Sequence, residues 1–333
     1  MAKQRVLSGM QASGLLHLGN YHGALENWVR LQDDYECFFF VADWHALTTL
    51  FQDPGKIREH TREIVLDFLA CGLDPERSAI FVQSEVLQHA ELFTLLSMLT
   101  PVPWLERVPT YKDKQRDLAT SGKDLSSFGF LGYPVLQAAD ISIYDANFVP
   151  VGEDQLPHLE LTREIVRRFN FLYGDCLVEP KALLTRHKVL PGLDGRKMSK
   201  SYGNAVYLSD DDAAVRQKLM NAVTDPQRQR RKDPGRPEVC NVFAYHRLYA
   251  PAGRLSQIDD GCRRAELGCV DCKKELVETF FRAFGDIRAR RRALAGDPGR
   301  VRQILDAGAA RAREVAERTM IRVREAMKMG WRP

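Results

Sequence analysis

The strongest constraint on the fold lies in the first half of the 333-residue sequence. There, short apolar runs alternate with amphipathic segments of helical length. VLSG (6–9), CFFFVAD (37–43), AIFVQ (79–83) and NFVPVG (147–152) read as strands. A helix is marked between the second and third runs. Asp53 suits its N-cap, Pro54 its first position and Gly72 its C-terminal stop. Ile57, Thr61, Ile64, Val65, Phe68 and Leu69 fall on one of its faces. The amphipathic segment EDQLPHLELTREIVRRF follows the fourth run. Such alternation predicts an α/β fold with a doubly wound parallel sheet, whose ligands sit at the carboxyl ends of the strands.

Beyond about residue 205 the strand signal fades. DDDAAVRQKLMNAV and KKELVETFFRAFGDIRARRRAL read as helices, separated by the polar, basic loop DPQRQRRKDPGRPE (225–238). A last helix is predicted from about Arg300 to Met329, after the start signal Asp297-Pro298-Gly299. With 44% hydrophobic and 28% charged residues the composition is that of a globular chain, and a net charge of +4 permits nucleic acid as a partner without demanding it. The N-terminus has no apolar signal core, and no run approaches the roughly 20 apolar residues of a membrane span. A soluble, cytoplasmic protein is the expectation.

Of the seven cysteines, Cys37, Cys71 and Cys176 read as packing thiols. The other four follow the spacing C-x21-C-x6-C-x2-C at Cys240, Cys262, Cys269 and Cys272. This pattern suits a four-thiolate metal site. Zinc is the commoner cytosolic occupant by spacing alone, and a [4Fe–4S] cluster takes the same ligand set.

Two motifs carry chemistry. In SGLLHLGNYHGAL (13–25) Gly19 leaves backbone bare for a flat group such as a purine, His17 and Asn20 flank it as donors, and the helix start directs free N–H groups at phosphate. GRKMSKSYGN (195–204) is a glycine- and serine-rich stretch whose two lysines suit a triphosphate. Either alone has a bland reading, as a packing corner or a solvated basic loop; the pentapeptide KMSKS is specific.

HLGN and KMSKS together resemble the two signatures of class I aminoacyl-tRNA synthetases. YPVLQAAD (133–140) is similar to the amino-acid pocket helix of the tyrosyl and tryptophanyl members. VPVGEDQLPHLELTREI (149–165) and the opening SGMQASG resemble the bacterial-type tryptophanyl family. Leu7 stands where the tyrosyl family usually has a tyrosine. The resemblance spans essentially the whole chain and implies a Rossmann-like catalytic domain with a helical C-terminal region. It also implies activation of tryptophan by ATP with Mg²⁺, transfer to tRNA(Trp), and a homodimer away from membranes. The alternatives are a tyrosyl enzyme, a non-charging paralogue that binds tRNA or senses tryptophan, and an unrelated nucleotidyltransferase.

The resemblance also assigns residues. Asp140 would accept the indole N–H, in a slot lined by Leu7, Gly9, His45, Val149 and Val151 and by Gln137, where several relatives are apolar. Tyr133 and Gln155 would approach the ammonium and carboxylate. Gln11, Ala12, Ser13, His17, Gly19 and Asn20 would hold ATP from one side. Gly152, Glu153 and Asp154 would meet it from the other, with Val189 and with Lys197, Met198, Ser199, Lys200 and Ser201 of KMSKS. Lys197 and Lys200 would stabilise charge on the phosphates. Lys112 would either reach a phosphate or stay solvated. HLGN keeps the glycine of the usual HIGH signature and loses its second histidine; Ala12 stands where proline is frequent.

For the cysteines, a subgroup of the family carries a [4Fe–4S] cluster on a similar pattern whose first gap is usually one residue longer. This implies the cluster, with structural zinc as the alternative. Arg228, Arg230, Arg231 and Lys232, in the loop before Cys240, are either a solvated face or contacts to tRNA. The expected domains are 1–196 (ATP and tryptophan binding), 197–296 (KMSKS loop, anticodon-binding helices and cysteine site) and 297–333, a helix packing back on the body.

Overall fold

The computed structural model describes residues 3–108, 127–184 and 190–330. The chain divides into two compact units. One comprises Met1–Gly14, Asn27–Arg186 and Asp297–Pro333; the other comprises Leu15–Glu26 and His187–Gly296.

The first unit is built on a five-stranded parallel sheet in the order β3-β2-β1-β4-β5. The strands are β1 (Arg5–Gln11), β2 (Glu36–Ala42), β3 (Ser78–Val82), β4 (Phe148–Val151) and β5 (Lys181–Leu184). β2 and β3 are buried almost throughout, as their unbroken apolar sequences require. The chain adds strands outward from β1 to β3, then returns to the other side of β1 to lay down β4 and β5. The order therefore reverses between β1 and β4, which is where a doubly wound sheet opens a ligand crevice. β1 is paired with β2 over its whole length from Arg5 to Gln11, but with β4 only at Val6↔Phe148.

One face of the sheet buries Leu7, Phe38, Phe40, Phe81, Val149 and Val151 against the helices Gln88–Ser97, Phe128–Ser142, Leu156–Tyr173 and Pro298–Ala326. On the other face Trp28 stacks on Phe39 at 4.9 Å and meets Phe68 of the helix Pro54–Ala70 edge-on. Gly72 ends that helix at φ +108°. Asp53 sits at its N-cap, but its carboxylate bonds Lys56 Nζ at 2.7 Å and makes no cap to the backbone. β5 has no counterpart in the sequence reading: KALL is short and its two ends are exposed, so no buried face shows in its pattern.

The helix Pro298–Ala326 runs against the backbone of edge strand β3. Its stripe Gly308, Ala309, Ala312 and Ala316 permits the approach, and a Cβ at Gly308 would lie 2.0 Å from the Ile80 carbonyl oxygen. Arg311 seals the join by donating to the carbonyls of Pro75 and Ser78. Covering an edge in this way removes a surface for unwanted strand pairing.

The second unit is helical. Asp212–Asn221, Asn241–Tyr249, Ala252–Arg263 and Cys269–Ala295 are its longer helices. They bury Val215, Leu219, Tyr245, Ile258, Leu276, Phe280 and Phe284. Asp211 caps the first by accepting from Ala214 N. The last begins at Cys269 rather than Lys273, so Cys269 and Cys272 belong to its opening turn. HLGN is part of this unit and not of the sheet unit. Leu18 N donates to Val206 O and Leu208 N to Leu16 O, zipping the motif to the segment just beyond KMSKS. Sequence order cannot show such a return. Among the described residues no helix is long and apolar enough to cross a membrane.

Candidate active site

In the first unit the chemistry gathers around Asp140. This carboxylate is fully buried on the helix Phe128–Ser142, and its side chain takes three donors. Gln83 Nε2 lies 2.8 Å from Oδ1 and 3.0 Å from Oδ2, His45 Nε2 lies 2.8 Å from Oδ2, and His89 Nδ1 lies 2.6 Å from Oδ1. Burial opposes the charged form. The hydrogen bond from His45 and the interactions with His89 outweigh it and hold the carboxyl below its ordinary value. Asp140 is thus an ionised acceptor in an apolar setting.

The donors come from different elements. His45 lies on the helix Asp43–Leu50 that leaves β2, and its own carbonyl accepts from Gln11 Nε2 at 2.7 Å. Gln83 follows β3, and His89 lies on the helix Gln88–Ser97. Gln83 and His89 were absent from the sequence reading. A glutamine after a strand and a histidine on an amphipathic helix carry no signal until the fold brings them to a carboxylate 57 and 51 positions away.

Leu7, Gly9 and Gln11 alternate on one side of β1. Gly9 is exposed, and a Cβ there would strike the Phe40 ring at 2.7 Å. Val149 and Val151 are buried on β4. Tyr133, Gln137 and Asp140 share one helix face at i, i+4 and i+7. Tyr133 OH lies 3.1 Å from His158 Nε2, His158 Nδ1 lies 3.1 Å from Gln155 Oε1, and Gln155 Nε2 donates to Asp154 at 3.1 Å. His158 is a further residue that the sequence reading missed. Gly152 is buried at the end of β4, with Glu153 and Asp154 exposed in the turn that follows. Ala12 is buried, its N–H bonded to Ala42 O, and Ser13 is exposed. An apolar cavity of about 360 Å³ is lined by Trp44, Leu47, Phe51, Phe93, Gly132 and Tyr133 among others, and neither Asp140 nor His45 lines it.

In the second unit HLGN forms a reciprocal cap. His17 N donates to Asn20 Oδ1 at 3.0 Å, and Asn20 N donates to His17 Nδ1 at 3.3 Å. A Cβ on Gly19 would meet the His17 ring at 2.9 Å and Met198 at 3.8 Å, so the bare backbone is flanked by the KMSKS methionine. Burial, aided by the charge of Lys200, lowers His17 to about 4, leaving a neutral imidazole at pH 7. Lys197 is exposed and Lys200 half-buried; burial lowers the Lys200 ammonium to about 8. The loop is held by Asn204, itself buried. Asn204 Oδ1 accepts from Ser199 N at 2.9 Å, and Nδ2 donates to Asp194 at 2.7 Å and to the Lys197 carbonyl at 3.2 Å. Ser199 Oγ accepts from Ser201 N. Lys112 and Val189 lie outside the described residues.

The four cysteines sit at helix ends. Cys240 precedes Asn241–Tyr249, Cys262 ends Ala252–Arg263, and Cys269 and Cys272 open Cys269–Ala295. They are close enough to perturb one another: burial raises Cys272 to about 12, and the three other thiols add to the rise. Among the described residues no group of three or more His, Cys, Asp or Glu side chains is disposed to hold a metal ion. The thiols have other partners: Arg228 Nη1 lies 3.5 Å from Cys262 Sγ, and His246 Nε2 lies 3.4 Å from Cys272 Sγ.

Arg228 also departs from its expected place on a basic surface. It is 8% exposed and donates to the carbonyls of Arg231 and Leu267, so it braces the loops. Arg230, Arg231 and Lys232 are exposed, with Arg231 3.9 Å from Asp271.

Known proteins share this architecture. A family profile described as tRNA synthetases class I (W and Y) matches residues 1–285. The tryptophan–tRNA ligase of Thermotoga maritima is 53% identical, covering 98% of this chain and 99% of that one. The tryptophan–tRNA ligase of Aquifex aeolicus is 44% identical over 98% of this chain and 100% of its own. The crystal structure of the Campylobacter jejuni tryptophanyl-tRNA synthetase, complexed with ADP and tryptophan, superposes with a TM-score of 0.91 at 34% identity, covering 98% and 100% of the two chains. The chain therefore belongs to the bacterial-type tryptophanyl-tRNA synthetases, class I aminoacyl-tRNA ligases.

Proposed function

We infer that Asp140 selects tryptophan and that Lys197 and Lys200 supply the charge that drives activation by ATP. The observation that carries this reading is the buried, ionised Asp140, a fixed acceptor that suits an indole, whose single polar group is an N–H donor. Phenylalanine offers the carboxylate no donor and is disfavoured on that ground. Leu7, Gly9, His45, Gln137, Val149 and Val151 would form the slot. The Tyr133–His158–Gln155 chain would meet the α-ammonium and carboxylate.

Activation needs alignment and charge, not an enzyme nucleophile. The tryptophan carboxylate attacks the α-phosphorus of ATP, which enters as its magnesium complex, and pyrophosphate leaves. Lys197 and Lys200 stabilise the developing charge. Neutral His17, bare Gly19 and Asn20 bind the nucleotide without adding a competing charge, and Gln11, Ala12, Ser13, Gly152, Glu153 and Asp154 are its further contacts. The tryptophanyl-adenylate is then attacked by the terminal ribose of tRNA(Trp), releasing AMP. The exposed residues Arg230, Arg231 and Lys232 are proposed as phosphate contacts for the tRNA. Charging of total tRNA with tryptophan and with tyrosine tests the reading: tryptophan alone should be transferred. Neutralising the three basic residues should weaken charging and spare tryptophan-dependent pyrophosphate exchange. Equal loss of both activities would refute their role.

The four cysteines are proposed as ligands of a structural [4Fe–4S] cluster, with zinc as the alternative; four neighbouring thiols at helix ends and their spacing support this. Binding would deprotonate the thiols. Anaerobically purified protein should be brown. A colourless protein with stoichiometric zinc refutes the cluster, and one with neither metal refutes both. A cytoplasmic homodimer is part of the same proposal. The apolar cavity beside exposed Leu47, Phe51 and Phe128 supports a second copy there, and sedimentation velocity tests it.

A further inference from the structure

We propose that His89 is a positioning residue for amino-acid selection: by bridging Asp140 to Tyr144 it fixes the rotation of the carboxylate and leaves its other oxygen to the indole N–H. The inference rests on Asp140 being the indole acceptor.

His89 is wholly buried and bonded at both ring nitrogens. Nδ1 lies 2.6 Å from Asp140 Oδ1, and Nε2 lies 2.6 Å from Tyr144 OH. Burial raises the Tyr144 phenol well above its ordinary range, so it keeps its proton. The ionised Asp140 carboxylate can only accept, so His89 donates to it through Nδ1–H, while Nε2 is bonded to the Tyr144 hydroxyl.

The two oxygens are not equivalent. Oδ1 is held by His89 and by Gln83, both without solvent access. Oδ2 shares Gln83 and takes His45, the one partner whose side chain keeps some exposure, at 14%. An incoming indole N–H thus has one approach, on the His45 side. A free carboxylate could swing to present either oxygen; the His89–Tyr144 bridge removes that freedom. His89 needs no contact with substrate to do this.

The test compares tryptophan with 3-(benzo[b]thiophen-3-yl)alanine, which has the same shape without the N–H, in ATP–pyrophosphate exchange. Tyr144→Phe removes only the hydroxyl that orients His89. His89→Leu removes the bridge, and His89→Gln keeps a donor toward Asp140. Tyr144→Phe and His89→Leu should each narrow the discrimination between the two amino acids by about tenfold or more. The change should appear in KM for tryptophan with KM for ATP unchanged, and His89→Gln should recover part of it. A general packing role predicts equal losses for both amino acids. Equal losses in Tyr144→Phe would overturn the proposal even if His89→Leu does not fold. Asp140→Asn separates the two levels. If it leaves discrimination intact, the pocket assignment itself fails. If it abolishes discrimination while the Tyr144 and His89 variants keep it, only the positioning role of His89 fails.

Discussion

The same substitution at two helical glycines should have opposite effects. Gly308 lies within Pro298–Ala326 and Gly285 within Cys269–Ala295. Alanine in a helix interior is worth about 1 kcal/mol over glycine. At Gly285 nothing stands within 4 Å of an added Cβ, so Gly285→Ala should stabilise by about that amount. At Gly308 the Cβ would lie 2.0 Å from the carbonyl oxygen of Ile80 and within 3 Å of its C and N atoms. These are backbone atoms of a paired strand, so no side chain can rotate away. The helix must lift by more than an ångström, which pulls Arg311 from the Pro75 and Ser78 carbonyls and Arg313 from that of Glu85. Overpacking costs typically 1–3 kcal/mol, and each displaced bond about 1 more. The propensity gain is outweighed, and a net loss of about 3–5 kcal/mol remains. Scanning calorimetry at a fixed rate should show the transition of Gly308→Ala lowered by roughly 5 °C and that of Gly285→Ala unchanged or raised. A Gly308→Ala protein as stable as the parent would refute the contact between the C-terminal helix and β3.

Two further outcomes follow from the KMSKS unit. Asn204→Ala removes the carboxamide that ties Ser199, Lys197 and Asp194, so the rate constant of pyrophosphate exchange should fall about tenfold to a hundredfold with little change in KM for tryptophan; a raised tryptophan KM at constant rate would contradict it. Lys200, lowered to about 8 by burial, carries its charge below that pH and loses it above, so the exchange rate of the free enzyme should decline on the alkaline side. Lys200→Arg should move the decline to higher pH, and an unmoved limb in a pH–rate profile would assign it to another group.

The central strands were legible because β2 and β3 are buried on both faces and write an unbroken apolar sequence. β5 was not, since its exposed ends erase the pattern. Asp140 was reached through the resemblance of YPVLQAAD to the amino-acid pocket helix of the family. Its partners Gln83 and His89 were not, because their role is created by the approach of separate elements. Arg228 misled for the converse reason. A run of basic residues looks solvated, and only the fold shows that one guanidinium has turned inward to two carbonyls. The spacing of the cysteines indicated their proximity but not the partners that each thiol takes.

The most direct measurement is the crystal structure of the complex with tryptophan. The indole nitrogen should lie within about 3 Å of an Asp140 oxygen, with His89 still bonded to Oδ1 and Tyr144. A tryptophan whose indole nitrogen faces another group, or one lodged in the cavity beside Trp44 and Phe51, would contradict the account.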